Sequence, residues 1–445
     1  MTGNTNRPNI LLFLPDQHRY DWWGVNEDLP LRTPNLDRLA ARGMTFTNAL
    51  CPSPLCAPSR AALAAGKEYP SCRVANNGED YPLDQPTFYQ MLRDAGYAVT
   101  GVGKFDLQKA TADHSLDGKA LLDEWGFSDG VDSKGKWDAV ASWDGEPHDA
   151  YLGYLHTLGL AQVHIDDMLK RRGRSFAATT PTPLPEHAYG DNWIADAGLR
   201  VLDRIPVEQP WFMQVNLTGP HDPVDVTEAM QAPWLGVGFP TAHGNDEFDH
   251  ATHTAIRQNY AAMVENIDRH LGRYVDALDE RGELANTIIV YASDHGEMLG
   301  DHNRWGKATY YQPSVGIPLV MAGPGVSPGR TFDGVVGLHD LAATFLEAAS
   351  LQVPDDMDSR SLIRVLSGQA DHHRDYLLSG LIMPSRATWH LIFDGRHKLV
   401  CDRDSPPILF DLQEDPWEDD NVAGDHPDVV VRLKAWMDVE LGLVD

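Results

Sequence analysis

Cysteine is scarce, with four in 445 residues (Cys51, Cys56, Cys72, Cys401). So few thiols in so long a chain build no disulfide framework, and none of their spacings makes a zinc pattern. Positive charge is scarce as well. Lys plus Arg number 36 against 65 Asp plus Glu, a formal charge of −29, which excludes a general binder of nucleic acid or anionic membranes. An anionic ligand must therefore meet a local cluster of cations. Long apolar runs are missing: the N-terminal MTGNTNRPNILLFLPDQ has no basic region and no small-residue cleavage site, and its apolar run at 10–14 is too short to span a bilayer. A cytoplasmic protein with no membrane partner is expected. No internal repeat, heptad stretch or low-complexity block is present, which sets aside solenoids and coiled coils.

What is present is ordinary globular composition, 42% hydrophobic and 23% charged. At roughly 150 residues per domain the length fits two or three domains or one large α/β enzyme fold. Short apolar runs recur at 9–14, 97–102, 211–217, 287–292 and 317–322, the pattern of parallel strands buried on both faces of a sheet. Helical patterns lie between them at 34–42, 86–95, 191–204, 255–281 and 338–349. Residues 105–190, rich in Gly, Asp, Trp and His, predict long surface insertions forming a substrate-facing rim. From about residue 371 short strands joined by turns, then an amphipathic helix at 427–441, predict a small antiparallel sheet with one helix. The expected division is a catalytic α/β domain over 1–370 and a C-terminal subdomain over 371–445.

Four of the five apolar runs lead into chemistry: 9–14 into Asp16, 97–102 into Lys104, 211–217 into His221, and 287–292 into Asp294 and His295. Ligands of open α/β sheets bind outside the carboxyl ends of the strands, so these residues predict one assembled site. A second signal is CPSPLCAPSRAALAAGK. Pro58 and the alanine run place Cys56 at a helix N-terminus, where free N–H groups lower a thiol pKa and suit a tetrahedral anion, with Arg60 in reach. A buried core cysteine before a helix is the plainer alternative.

Cys56-Ala57-Pro58-Ser59-Arg60 resembles the signature of the type I sulfatases, whose cysteine is converted to Cα-formylglycine. NILLFLPDQ, GVGKFD, TGPHDP, SDHGEMLGDHNRWGK and DGRHKLVCD with LFDLQEDPWEDDNVA resemble further family segments in family order, from residue 8 to about 425. The resemblance implies an alkaline phosphatase-like α/β/α sandwich with a mostly parallel sheet. It implies that Asp16, Gln17, Asp294 and His295, with the modified Cys56, hold a divalent cation. Oxygen ligands favour Ca2+, with Mg2+ and Mn2+ as alternatives. Arg60, Lys104, His221 and Lys307 would surround the sulfate with charge and protons, and Asn77 would line the pocket or occupy a turn. A formylglycine-generating enzyme is the implied maturation partner.

The chain departs from the common family pattern at three positions. Gln17 stands where many members have a second aspartate, His295 where many have asparagine, and Asp106 where many have a histidine that contacts the nucleophile. The first two resemble a branch that includes phosphonate monoester hydrolases and some choline sulfatases. The expected activity is hydrolysis of a small sugar, aryl or alkyl sulfate, with phosphonate monoester or phosphodiester hydrolysis as the alternative. A cysteine hydrolase using Cys56 with His221 leaves the metal constellation unexplained, and a silent binding protein predicts a lost ligand that is not lost here. Asp106 would read a substrate hydroxyl or cation. Trp22, Trp23, Trp125, Trp137 and Trp143 are candidates to stack on the alcohol half. Oligomeric state is left open.

Overall fold

The computed structural model describes residues 7–69, 71–111, 113–174, 176–383, 387–402 and 405–443. Its centre is a sheet of β1 (Asn9–Asp16), β2 (Met44–Leu50), β3 (Ala98–Gly103), β4 (Asp129–Asp132), β5 (Trp211–Pro220), β6 (Thr287–Ala292), β7 (Leu319–Ala322) and β8 (Arg330–Gly337). The strand order is β4-β3-β5-β1-β6-β7-β2-β8. From β4 to β6 every neighbouring pair is parallel, as is β2 with β8. The run at 317–322 departs from expectation, because β7 is antiparallel to both β6 and β2. A parallel return needs a crossover, usually a helix. The stretch between β6 and β7 instead carries site loops, a 3-10 turn at Asp301–Asn303 and the four-residue helix Gln312–Val315.

Alternation on β1 shows why its run is apolar throughout. Ile10, Leu12 and Leu14 enter a core shared with the helices Cys56–Ala65, Phe88–Asp94 and Asp340–Ala348, while Leu11 and Phe13 enter the opposite core with Gly190–Arg204 and His250–Glu280. Each fully buried large side chain contributes roughly 1.5–3 kcal/mol relative to exposure. The two layers of helices over a mostly parallel sheet make the expected sandwich.

Residues 105–190 are not simply a surface rim. They supply the edge strand β4 and the helices Lys136–Ser142, Ala150–Thr157 and Ala161–Arg171, and Leu152, Leu155, Ile165 and Met168 are buried in the second core. Toward the C-terminus β9 (Leu377–Met383), β10 (Ala387–Phe393), β11 (His397–Asp402) and β12 (Ile408–Asp411) form a separate antiparallel sheet in the order β12-β11-β10-β9. The helix Pro427–Glu440 covers it, seating Leu433 and Met437 against Leu378, Ile392, Leu399 and Leu409. Among the described residues no helix is long and apolar enough to cross a membrane.

Candidate active site

The strands β3, β5, β1 and β6 are consecutive neighbours, so their carboxyl ends open side by side. β1 ends in Asp16, and the chain turns at once through Gln17, whose φ of 66° lies in the left-handed region. β6 runs into Asp294 and His295, and β3 into Lys104. β5 leads to His221 after an irregularity that pairs Pro15 with Leu217 but Asp16 with Pro220. The side chain of Asp191 catches the extra residues, accepting from the N–H groups of Thr218 and Gly219.

Across this opening lies the helix Cys56–Ala65 with Cys56 as its first residue. Leu55 before it is extended, and Gly66 closes it at φ 63°, a left-handed cap that glycine adopts without Cβ strain. Ser59 Oγ donates to the carbonyl of Asp294 at 2.6 Å, tying the helix to the β6 loop. Asn77 accepts the Ala57 N–H at 3.0 Å, so it serves the first helical turn.

Cys56, 1% exposed, has its Sγ 3.3 Å from His295 Nε2, 2.9 Å from Lys307 Nζ and 3.9 Å from Asp16 Oδ1. Ligand atoms of Asp16, Cys56, Asp294 and His295 all lie within 4.8 Å of one another. The donor set fits a divalent cation. His295 Nδ1 lies 3.1 Å from the Gly296 carbonyl, which makes Nδ1 the protonated nitrogen and leaves the Nε2 lone pair facing the cluster. Gln17 donates through Nε2 to Glu297, while its Oε1 is buried without a hydrogen-bond partner. An orphaned buried carbonyl oxygen is costly unless something electropositive meets it.

Cations crowd the same space. Lys104 Nζ forms an ion pair with Asp16 and lies 3.1 Å from Asp106 Oδ2. Lys307 Nζ is 3.0 Å from His295 Nε2 and 4.0 Å from Asp16 Oδ1. Burial and Lys307 pull the His221 pKa down, but Asp16, Asp222 and a hydrogen bond with Cys56 outweigh them and hold it above its ordinary value. Arg60 acts mainly as a brace, donating to Asp294 at 2.9 Å, to the Lys104 carbonyl at 2.6 Å and to Asn216 at 3.0 Å, with Nη2 left 3.9 Å from Asp16. Burial raises the pKa of Asp16, but Lys104, His221, Lys307 and Arg60 outweigh it and hold the carboxyl well below the usual range. Burial and Asp16 push the Cys56 thiol up, yet Lys104 and Lys307 bring it well below its ordinary value.

All nine residues singled out for catalysis or metal binding therefore converge at this opening. Asp106, expected to read a substrate hydroxyl or cation, is turned to two lysines of the chain. It is 4% exposed, and its Oδ2 is held by Lys104 and, at 2.9 Å, by Lys109. Trp22, Trp23 and Trp125 are core residues rather than stacking platforms, whereas Trp137 donates to Asp222 beside His221. Sequence reasoning missed three participants. Glu297 is fully buried and holds Gln17; Lys109 links Asp106 to Asp138; Asn216 receives Arg60. Only Asn216 left a signal, because Gln214 and Asn216 are amides two apart in the otherwise apolar run 211–217.

The sulfatase family profile matches residues 8–351, and the profile of the N-sulphoglucosamine sulphohydrolase C-terminal region matches 300–440. An arylsulfatase of Clostridium perfringens is 27% identical, covering 93% of this chain and 89% of its own length. A choline-sulfatase of Rhizobium meliloti is 28% identical over 94% of this chain and 83% of its own. The phosphonate monoester hydrolase of Agrobacterium radiobacter shares the alkaline phosphatase-like fold with a TM-score of 0.80 at 24% identity, covering 98% of this chain and 95% of that one. The first profile takes in both halves of the cluster around Cys56, and the chain belongs to the sulfatase family.

Proposed function

We propose that this chain hydrolyses the sulfate monoester of a small sugar, aryl or alkyl alcohol to the alcohol and inorganic sulfate. The observation that carries this is Cys56 at a helix N-terminus, touching Lys307 and His295 and enclosed with Asp16 and Asp294. Asp16, Gln17, Asp294, His295 and residue 56 would hold the divalent cation, and the carboxylate and amide oxygens favour Ca2+ over Mg2+ or Mn2+. With the cation bound and Cys56 converted to formylglycine, the site would gain positive charge against sulfate oxygens and a hydroxyl nucleophile.

The chain's own side chains supply the rest. Lys104 and Lys307 would bind the sulfate oxygens as ammonium donors held in place before the substrate arrives. Arg60 keeps Asp294 aimed at the cluster and braces the Lys104 backbone. His221 or Lys307 would hold the proton that the leaving alkoxide takes. Burial of Asp16, Cys56, Asp294 and His295 excludes bulk water from the nucleophile. Replacing Cys56 by alanine is expected to abolish turnover while leaving the fold intact; appreciable activity in a pure sample overturns the mechanism. The matching test of substrate class compares kcat/KM for an aryl sulfate and the corresponding aryl phosphonate ester. The sulfate is expected to win, and a clear preference for the phosphonate overturns the reading.

A further inference from the structure

The edge strand β4 places an unexpected element beside the site. β4 runs parallel to β3 with Asp132 opposite Gly103, and the Ser133 N–H donates to the Gly103 carbonyl at 2.9 Å. The chain leaving β4 is thereby delivered next to Lys104. Two residues on, Gly135 packs so closely on Lys104 that an added Cβ would lie 2.7 Å from its Cε. The following helix then reaches in two directions. Lys136, its side chain 9% exposed, donates to the carbonyls of His221 at 2.8 Å and Pro223 at 3.1 Å and to Asp225 at 2.6 Å. Trp137 Nε1 donates to Asp222 at 3.0 Å. Asp138 lies 2.6 Å from Lys109 Nζ, which is 2.9 Å from the carboxylate of Asp106 that also holds Lys104.

We propose that the segment Gly135–Asp138 is a bracket that positions both cationic arms of the site: the His221 loop through Lys136 and Trp137, and Lys104 through Gly135 and the chain Asp138–Lys109–Asp106. The inference rests on the sulfatase reading for what those arms do, not for the contacts themselves. An ammonium spanning two carbonyls and a carboxylate fixes a loop more firmly than a neutral donor does. Asp106 would otherwise draw Lys104 away from the sulfate; shared between two ammonium groups, it instead anchors Lys104 from behind. Lys109, Lys136 and Asp138 are positioning residues, since each acts through another side chain.

The two arms make separable predictions, measured on full-length, metal-loaded enzyme whose formylglycine content is matched between variants. Lys136→Met frees the His221 loop, and a shift of about 1 Å in a reacting group lowers kcat on the order of 10²-fold. The loss is expected to grow as the phenol leaving group becomes more basic, because proton donation matters most there. Lys136→Arg is expected to restore part of it. Gly135→Ala displaces Lys104, so calorimetric affinity for inorganic sulfate is expected to fall on the order of tenfold, as for one lost charge-assisted bond. That affinity should be unchanged in Lys136→Met. A uniform loss across leaving groups in Lys136→Met, or unaltered sulfate affinity in a folded Gly135→Ala, overturns the bracket. Absence of sulfatase activity in the wild type would instead overturn the functional reading and leave the sulfate-binding arm to stand or fall by calorimetry.

Discussion

At position 17 the orientation of one amide decides whether the proposed metal site has four protein ligands or five. Glu297 sets it. One carboxylate oxygen receives Gln17 Nε2, and the other receives the N–H groups of Leu299 at 2.9 Å and Gly306 at 2.7 Å, beside Lys307. With the nitrogen so engaged, Gln17 Oε1 can only face inward. Glu297→Gln keeps the shape but turns an acceptor into an amide that must choose its partners. Calcium affinity measured by calorimetry is expected to fall by about 10–100-fold, the usual effect of disturbing a group that orients a ligand. An unchanged affinity would remove Gln17 from the ligand set. Asp16, Asp294 and His295 were legible because each follows an apolar run, and Cys56 because proline and alanines announce the helix behind it. Glu297 and Lys109 were not, since a single buried carboxylate or ammonium in a loop leaves no periodic trace. Asp106 was visible as a departure, but the link from its partner Lys109 to Asp138 became evident only once the helix after β4 was in place.

Among elements, the buried junction between the helix Asp340–Ala348 and the segment before β9 shows how the C-terminal sheet is anchored. Arg374 lies 2.9 Å from Asp340 through Nε and 3.0 Å from Glu68 through Nη1, and His373 Nε2 is 3.0 Å from Asp340. Burial raises the pKa of Asp340, but Arg374, His339 and His373 outweigh it and hold the carboxyl well below the ordinary range. A depressed carboxylate contributes stability above its unfolded pKa of about 3.9, and that contribution is lost as pH falls through the folded value. Asp340→Asn is expected to destabilise the protein at neutral pH by on the order of 3–5 kcal/mol, because Arg374 is left buried without its main partner. Denaturant titrations from pH 7 downward should then show a flatter acid limb for the variant than for the wild type; parallel limbs would rule out Asp340 as the group responsible. The long helices flanking the large sheet and five of its strands were legible from periodicity, whereas the helices Lys136–Ser142, Ala150–Thr157 and Ala161–Arg171 were not. β2 alternates with polar residues, β4 is four residues of DGVD, and β8 is an edge strand whose first half faces solvent, so none offered a continuous apolar run.

For the molecule as a whole, the excess of acid bears on what can approach the site. A net charge of −29 repels a polyanion over distances set by the Debye length, about 30 Å at 0.01 M salt but roughly 8 Å at 0.15 M. The cations that attract sulfate act differently. Lys104 and Arg60 are 2% and 1% exposed, so added salt screens them far less than it screens the surface. A substrate with one sulfate feels mainly the local cations once it reaches the opening, whereas an oligosaccharide with several sulfates must bring its remaining charges along an acidic surface. Raising ionic strength is therefore expected to increase kcat/KM for the polysulfated oligosaccharide while changing that for the monosulfated sugar little, with the metal held saturating throughout. If kcat/KM for the oligosaccharide falls with salt instead, a cationic track on the surface is guiding it. The preference for small esters would then be wrong, although the chemistry at Cys56 would be untouched.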